Sequence, residues 1–228
     1  MNIEQFSIPL WADLAAVSIG ALQGAMFAAK FHDRRIDLLG IVLVGTFTGL
    51  GGSLIRDGFL NSTMAALTNN WYLTSALVAA LGGMLLERMF SKIDGVVIAL
   101  DAMTVGLYAA IGMTKALGNG LPVVPSIFIG VAAAVGGSAL RDVFLGLPIA
   151  LMQVGSLYAV AALSGTVALL LVVGVGGSVV PGAIACAVVT TTVRLCAVKF
   201  GWTLPQQRAL AVSRRRHERG RRRQGRSQ

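Results

Sequence analysis

Charged residues are scarce in this chain. Asp, Glu, Lys and Arg make up 13% of its 228 residues, and 55% of the residues are hydrophobic, whereas soluble domains carry about 25% charged residues. The mean hydropathy is +0.75. This composition excludes an ordinary soluble domain and indicates a membrane protein.

Cysteine and histidine are also rare. The two cysteines, Cys186 and Cys196, lie within one apolar segment, ten residues apart, so on one helix they cannot form a disulfide with each other. The two histidines, His32 and His217, lie in a predicted loop and in the C-terminal tail. Neither G-x-S-x-G nor H-E-x-x-H occurs. These absences argue against an enzyme and against a metal or other cofactor.

Long apolar runs are what the chain has instead. They are about 20 residues long, the length at which a helix spans the hydrocarbon core. The last two runs are divided at "GVGGSVVPG", where the glycines and Pro181 favour a turn. The sequence therefore predicts an all-α membrane protein with seven transmembrane helices in one domain, residues 1–207. The predicted spans are 10–30, 36–56, 71–90, 95–114, 121–141, 149–171 and 178–200.

Basic charge is concentrated at the C-terminal end. Residues 208–228 hold nine Arg and one Glu, a balance of +8, whereas residues 1–207 hold ten Lys or Arg and nine Asp or Glu, a balance of +1. Because Lys and Arg accumulate on the cytoplasmic side, we expect a multi-pass protein of the cell (plasma or inner) membrane with its C-terminus in the cytoplasm. With seven spans the N-terminus is then outside.

The segment 208–228 is interpreted as a basic, disordered cytoplasmic tail. A run of arginines is also compatible with nucleic-acid binding. Directly after a membrane helix, anionic lipid head groups are the expected partner, and nucleic acid is not.

One ten-residue segment occurs twice. Residues 51–60 read GGSLIRDGFL and residues 136–145 read GGSALRDVFL, with seven identical positions. The same offset of 85 residues also pairs Gly45 with Gly130 and Lys30 with Lys115. The repeat unit holds three spans, and an odd number of spans inverts the second copy in the membrane, an arrangement common in transport proteins. We therefore predict a 3+3 inverted repeat, about 10–93 and about 94–177, and an extra helix at about 178–200.

A glycine pair stands in each copy, Gly51–Gly52 and Gly136–Gly137. Glycine favours local unwinding and close backbone approach, and unwound backbone in a membrane is tolerated only inside protein or against a water-filled cavity. We predict that the pairs interrupt their helices and face the interior. The alternative is close helix packing through small residues. The hydroxyls that follow the pairs are those of Ser53 and Ser138.

Ionisable residues within apolar runs need partners. Inversion predicts two similar groups at opposite ends of a path. Their carboxylates would attract cations, while serine hydroxyls and backbone carbonyls would replace lost hydration. The alternative is that the Arg-Asp pairs only anchor and cap the helices. The predicted groups are Asp13, Arg56 and Asp57 outside and Asp101, Arg141 and Asp142 inside.

The doubled GGSLIRD and GGSALRD, the stretch LDAMTVGLYAAIGMTKAL and the closing RLCAVKFGWTLP resemble the prokaryotic branch of the trimeric intracellular cation (TRIC) channel family over residues 10–205. The resemblance implies a seven-helix fold, a homotrimer with one pore in each protomer, and passive conduction of monovalent cations such as K⁺ and Na⁺. It places the pore lining around residues 51–56 and 136–141.

The predicted ion pathway combines these motifs with the charged groups, and two lysines are possible gating residues. The main alternative is a secondary transporter of a small amino acid such as glycine, because the same family is also linked with glycine transport. A carrier needs one occludable site, whereas a channel needs a continuous water path. The pathway residues are Gly51, Gly52, Ser53, Arg56, Asp57, Gly136, Gly137, Ser138, Arg141, Asp142, Asp13 and Asp101, and the possible gating residues are Lys30 and Lys115.

Overall fold

Seven helices of 17 residues or more make up most of the described part of the chain. The computed structural model describes residues 9–31, 36–89, 94–153 and 157–203. Every regular element in these ranges is helical, as the apolar runs predict. The helices are α1 (Leu10–Ala29), α2 (Leu38–Phe59), α3 (Ala65–Thr68), α4 (Asn70–Met89), α5 (Asp94–Gly118), α6 (Val123–Phe144), a 3-10 helix (Ala150–Met152), α7 (Tyr158–Gly174) and α8 (Val179–Phe200).

Five of the described helices are long and apolar enough to cross a membrane: α1, α2, α5, α6 and α8. Helix α7 is strongly apolar but has only 17 residues. Helix α4 has 20 residues but is less apolar, because its sequence begins with Asn70 and includes Glu87 and Arg88 in its last turn. The chain is therefore a multi-pass membrane protein.

Two elements differ from the prediction. Helix α7 begins at Tyr158 instead of residue 149, and the short helix α3 was not predicted. In both places the chain after a long helix turns back toward an aspartate at the end of that helix. The backbone N–H of Ala65 donates to Asp57, and that of Ala150 donates to Asp142. These loops are thus held by buried carboxylates, which hydropathy does not reveal.

Helices α2 and α6 cross at the centre and run antiparallel. The ring of Phe47 stacks on Phe144 at 4.8 Å, and the ring of Phe59 contacts Phe128 at 5.4 Å, so the C-terminal end of each helix lies beside the N-terminal part of the other. Helices α1 and α4 pack against α2, helices α5 and α7 pack against α6, and α8 packs against α5 and α7. The C-terminal ends of α2 and α6 are therefore at opposite ends of the crossing.

The predicted interruption at the glycine pairs is wrong. Helices α2 and α6 are continuous through all four glycines, which are buried. A β-carbon on Gly51 would lie 2.8 Å from the Cα of Gly137, and one on Gly137 would lie 2.4 Å from the carbonyl oxygen of Thr48. The ring of Tyr108 lies 2.7 Å from the β-carbon position of Gly52. The glycines face the interior, as expected, but they serve close helix packing.

The two halves of the chain make matching contacts, but the number of residues that separates equivalent positions differs between helices. Equivalent positions in α2 and α6 are 85 residues apart, as in the sequence repeat. Equivalent positions in α1 and α5 are 88 residues apart. Gly24 packs on Thr48 and Gly112 packs on Ala133, and since Thr48 and Ala133 are equivalent, Gly24 and Gly112 are equivalent too. The connection from α1 to α2 is therefore three residues longer than that from α5 to α6.

This difference corrects the pairing of Lys30 with Lys115. At the offset of 88 the residue equivalent to Lys115 is Phe27, and Lys30 lies one turn further along. Sequence identity at a single offset did not detect the longer connection. The predicted tail, 208–228, lies outside the described residues.

Candidate functional site

A first cluster of charged side chains lies at the C-terminal end of α2. Arg56 donates from Nε to Asp57 at 2.8 Å and from Nη1 to Asp13 on α1 at 3.1 Å. Tyr72 on α4 donates to Asp13 at 2.7 Å, and Lys115 on α5 donates to Asp57 at 2.7 Å. Four helices thus meet at one buried guanidinium, whose exposed fraction is 0%.

A second cluster lies at the C-terminal end of α6. Arg141 donates from Nη2 to Asp142 at 2.8 Å and from Nη1 to Asp101 on α5 at 3.4 Å. Tyr158 on α7 donates to Asp101 at 2.5 Å. Arg194 on α8 approaches Asp101 at 3.8 Å and stacks its guanidinium over the ring of Tyr158 at 3.7 Å.

The local sequence explains why an Arg-Asp pair ends each helix. After the pair, the chain leaves the helix through a residue in the left-handed conformation, Asn61 with φ 48° in the first copy and Gly146 with φ 58° in the second, residue types that tolerate this region. The loop then returns a backbone N–H to the aspartate, from Ala65 at 2.9 Å and from Ala150 at 2.7 Å. Each aspartate therefore fixes both its arginine and the following loop.

The predicted groups are brought together at both ends of the crossing. Counted over the described residues, each cluster holds two carboxylates and two basic side chains, so each is formally neutral, as buried charge requires. The two clusters differ in the source of their second positive charge. In the first cluster this charge is Lys115 on α5. In the second cluster the position equivalent to Lys115 is Phe27, whose ring lies 4.0 Å from the guanidinium of Arg141, and the second positive charge comes from Arg194 on α8.

Sequence reasoning missed three partners, namely the tyrosines Tyr72 and Tyr158 and the pairing of Arg194. The chain has only three tyrosines, and all three are buried. Two of them follow the Arg-Asp motifs at almost the same spacing, and this is the signal that could have found them. The third, Tyr108, donates to the carbonyl oxygen of Gly49 at the centre of the crossing.

An open cavity of about 430 Å³ adjoins the second cluster. In the part of the chain that the structure describes, its charged lining residues are Asp101, Arg141, Asp142 and Arg194. The buried amide of Gln23 from α1 lines it as well. Between the clusters the glycine crossing is closely packed. The cavity therefore connects one cluster, and not the crossing, to the outside of the protein.

The other predicted pathway residues have partners within the protein. The hydroxyl of Ser53 donates to the carbonyl of Leu50, and that of Ser138 donates to the carbonyl of Val135. Lys30 pairs with the exposed Asp94 at 2.5 Å, at the surface. The pathway and gating roles of all these residues stay predictions. Among the described residues no group of three His, Cys, Asp or Glu side chains could hold a metal ion.

Comparison with known proteins places this geometry in a family. The model described as "Glycine transporter" matches residues 10–88 and 98–174. A UPF0126 membrane protein of Deinococcus radiodurans is 30% identical over 157 residues, which cover 68% of this chain and 72% of the relative. The UPF0126 inner membrane protein YadS of Escherichia coli is 27% identical over 157 residues, 68% of this chain and 74% of that protein.

Solved structures with the same fold are TRIC channels. The TRIC orthologue from Rhodobacter sphaeroides superposes with a TM-score of 0.76 at 26% identity, covering 85% of this chain and 98% of the orthologue. A second TRIC cation channel gives a TM-score of 0.75 at 25% identity, covering 86% and 95% of the two chains. The chain therefore belongs to the bacterial membrane-protein family of the "Glycine transporter" model, within the prokaryotic branch of the TRIC family.

Proposed function

We propose that the protein is a passive channel for monovalent cations such as K⁺ and Na⁺, with one pore in each protomer of a homotrimer. The observation that carries the proposal is the pair of matching charge clusters at opposite ends of an antiparallel helix crossing. This crossing is part of a fold shared with TRIC cation channels at 26% and 25% identity. Buried ionisable residues in membrane helices are characteristic of ion and substrate pathways.

The clusters suggest how such a pore would work. Asp57 holds the last turn of α2 to Lys115 on α5 and to the following loop, and Asp142 holds the last turn of α6 to its following loop, so in this proposal they fix both mouths of the path. A cation passing along the crossing would need α2 and α6 to separate, because the glycines now bring the two backbones together. The structure therefore corresponds to a closed state in this proposal, with the glycine crossing as the constriction.

The membrane topology is part of the same proposal. We infer seven spans as a 3+3 inverted repeat and an extra helix, with the N-terminus outside and the C-terminus in the cytoplasm of an inner-membrane protein. The matched contacts at offsets of 85 and 88, and the two ranges matched by the family model, support the repeat. The first cluster would then face the outside, and the cavity of the second would face the cytoplasm.

A secondary transporter of a small amino acid such as glycine is the second candidate function. The observation that favours it is the name of the family model, "Glycine transporter". An open cavity that ends at a closely packed crossing is also compatible with a carrier in one of its two end states. Passive conduction and saturable uptake separate the two candidates.

The deciding experiment uses the purified full chain in liposomes. K⁺ and Na⁺ flux under an imposed gradient is measured beside uptake of labelled glycine, with protein-free liposomes as the background. We expect cation flux that rises linearly with concentration over a wide range and depends on the membrane potential. Glycine uptake that saturates and shows counterflow, in vesicles without K⁺ flux, would establish the carrier instead.

A paired variant tests the role of the clusters in the flux. Asp142→Asn removes the charge that holds Arg141 and the following loop, and we expect it to lower K⁺ flux. The matched control is Asp37→Asn, which removes an exposed carboxylate outside both clusters and keeps a side chain that can cap α2. Equal flux in the two variants would contradict the assignment of the second cluster to the pathway.

A further inference from the structure

Gln23 is the polar residue of the cavity that the fold itself leaves unexplained. Its side chain is 1% exposed and lines the cavity beside the second cluster. Its amide nitrogen has no hydrogen-bond partner among the described residues. Burying an amide without a partner is costly, and an unsatisfied buried group in a native protein calls for an explanation.

The internal repeat shows that this amide is not needed to build such a cluster. At the offset of 88 between α1 and α5, the position equivalent to Gln23 is Ile111. Ile111 is buried and packs in the apolar core of the first half. The first cluster therefore forms beside an apolar side chain, and the amide is specific to the cluster that has the cavity.

The carboxylates of the second cluster all have donors. Asp101 accepts on one oxygen from Arg141 and on the other from Tyr158. Asp142 accepts on one oxygen from Arg141 and on the other from the backbone of Ala150. Every carboxylate oxygen of the cluster thus accepts at least one hydrogen bond.

Some N–H groups of the cluster have no acceptor of their own among the described residues. The guanidinium of Arg141 has five N–H groups, and its hydrogen bonds use Nε and one N–H on each terminal nitrogen. One N–H on each terminal nitrogen therefore remains, together with the amide of Gln23. A group that fills this remaining capacity must be a hydrogen-bond acceptor.

The charge balance restricts the acceptor further. Among the described residues, the charged side chains that line the cavity are those of two aspartates and two arginines, a formal sum of zero. A multiply charged anion such as phosphate would disturb this balance more than a ligand with one negative charge or none. The planar guanidinium fork matches the two oxygens of a carboxylate.

We propose that the cavity beside the second cluster is a binding site for the carboxylate group of a small solute, held by Gln23 and Arg141. The volume of about 430 Å³ accommodates such a solute with several waters, since one water occupies about 30 Å³ in the liquid. The carboxylate belongs either to a simple anion or to a zwitterion. Binding is independent of whether the protein conducts cations, so failure of the site and failure of the channel proposal are distinguishable. The glycine carrier, in contrast, would require this site to bind glycine.

Equilibrium dialysis of the full chain in lipid nanodiscs tests the site, with labelled acetate, glycine and ethylammonium as probes and inorganic phosphate as competitor. We expect saturable binding of acetate, glycine or both, no binding of ethylammonium, and weak competition by phosphate. Binding of both acetate and glycine identifies the carboxylate alone as the recognised group, and binding of glycine without acetate identifies a zwitterion site.

Variants at one position provide the specific readout. Gln23→Leu keeps the approximate shape and removes the donor, so we expect about tenfold or greater loss of affinity, the value of a hydrogen bond to a charged group. Gln23→Glu places a carboxylate in the site and should abolish binding. The matched control is Thr114→Val, which removes another buried polar group without a partner among the described residues, outside the cavity, and should leave affinity unchanged.

Three results would overturn the proposal. They are the absence of saturable acetate and glycine binding in the unaltered protein, unchanged affinity in a folded Gln23→Leu variant, and tighter binding of ethylammonium or phosphate than of acetate and glycine. The thermal unfolding midpoint of each variant is measured in parallel. Because Gln23→Leu replaces an unsatisfied buried amide by an apolar side chain, we expect that midpoint to be maintained or raised.

Discussion

At the scale of single residues, the fold depends on two aspartates that each perform two tasks. Asp57 and Asp142 neutralise the arginine that precedes them and accept a backbone N–H from the loop that follows. Buried ion pairs contribute little net stability compared with apolar packing, but removing one partner leaves the other buried without compensation. The cost of a substitution at these positions therefore far exceeds the value of a surface pair.

Asp57→Asn should destabilise the protein. Arg56 is fully buried and would keep only the carboxylate of Asp13, while Lys115 would lose its partner. We expect the free energy of unfolding to fall by about 3 kcal/mol, measured by denaturant unfolding in detergent. Asp94→Asn is the control and should change little, because its carboxylate is exposed. If the free energy of unfolding fell by a similar amount in both variants, burial of the ion pairs would not explain how much the cluster contributes to stability.

At the scale of helices, the central crossing is set by backbone contact. Glycine on both sides allows α2 and α6 to approach until a Cα on one helix lies against the other. Such close approach brings more atoms into van der Waals contact, the main source of helix association in lipid. It also means that a single methyl group at the crossing must push the helices apart.

Gly137→Ala should loosen the crossing. The new methyl group would lie 2.4 Å from the carbonyl oxygen of Thr48, and we expect a loss of about 1–3 kcal/mol, the usual cost of overpacking. The control is Gly82→Ala in α4, where no atom lies within 4 Å of the new carbon and helix propensity predicts a gain of up to about 1 kcal/mol. Thermal unfolding of both variants in detergent checks the difference in sign; destabilisation by Gly82→Ala with none by Gly137→Ala would refute this account of the crossing.

At the scale of the whole molecule, the orientation in the membrane follows from the arrangement of charge. The basic tail and the loops richest in Lys and Arg are proposed to lie in the cytoplasm, because positive residues are retained there. The odd number of spans then places the loop between α5 and α6 on the opposite side. The side of the membrane on which the α5–α6 loop and the C-terminal tail lie can be measured for both by cysteine labelling.

Cysteine labelling should report opposite sides for two positions. The native cysteines are first replaced by Ala, which the buried Cys186 and half-buried Cys196 should tolerate. Asn119→Cys, in the exposed loop after α5, should react with a membrane-impermeant maleimide in intact cells, whereas Ser227→Cys should react only after the cells are opened. The reverse pattern would invert the proposed topology and would place the cavity on the outer face.

The sequence alone determined the class of the protein, the approximate helix positions and six of the eight charged residues that meet in the two clusters, all except Lys115 and Arg194. These follow from apolar length, which the thickness of the bilayer imposes, and from the rule that charge inside a membrane must be paired. It also indicated the repeat, because the motif containing Gly51 and Asp57 recurs with Gly136 and Asp142.

The tertiary structure decided the rest. Whether Gly51 and Gly137 unwind their helices or bring them together depends on what lies opposite each glycine, and a sequence does not contain that information. The residue equivalent to Lys115 is Phe27 and not Lys30, because the connection from α1 to α2 is three residues longer than that from α5 to α6. This difference became visible only from the neighbours of Gly24 and Gly112 in the structure. The tertiary structure also identified the amide of Gln23 as a buried donor without a partner among the described residues, because this requires the positions of the atoms around it.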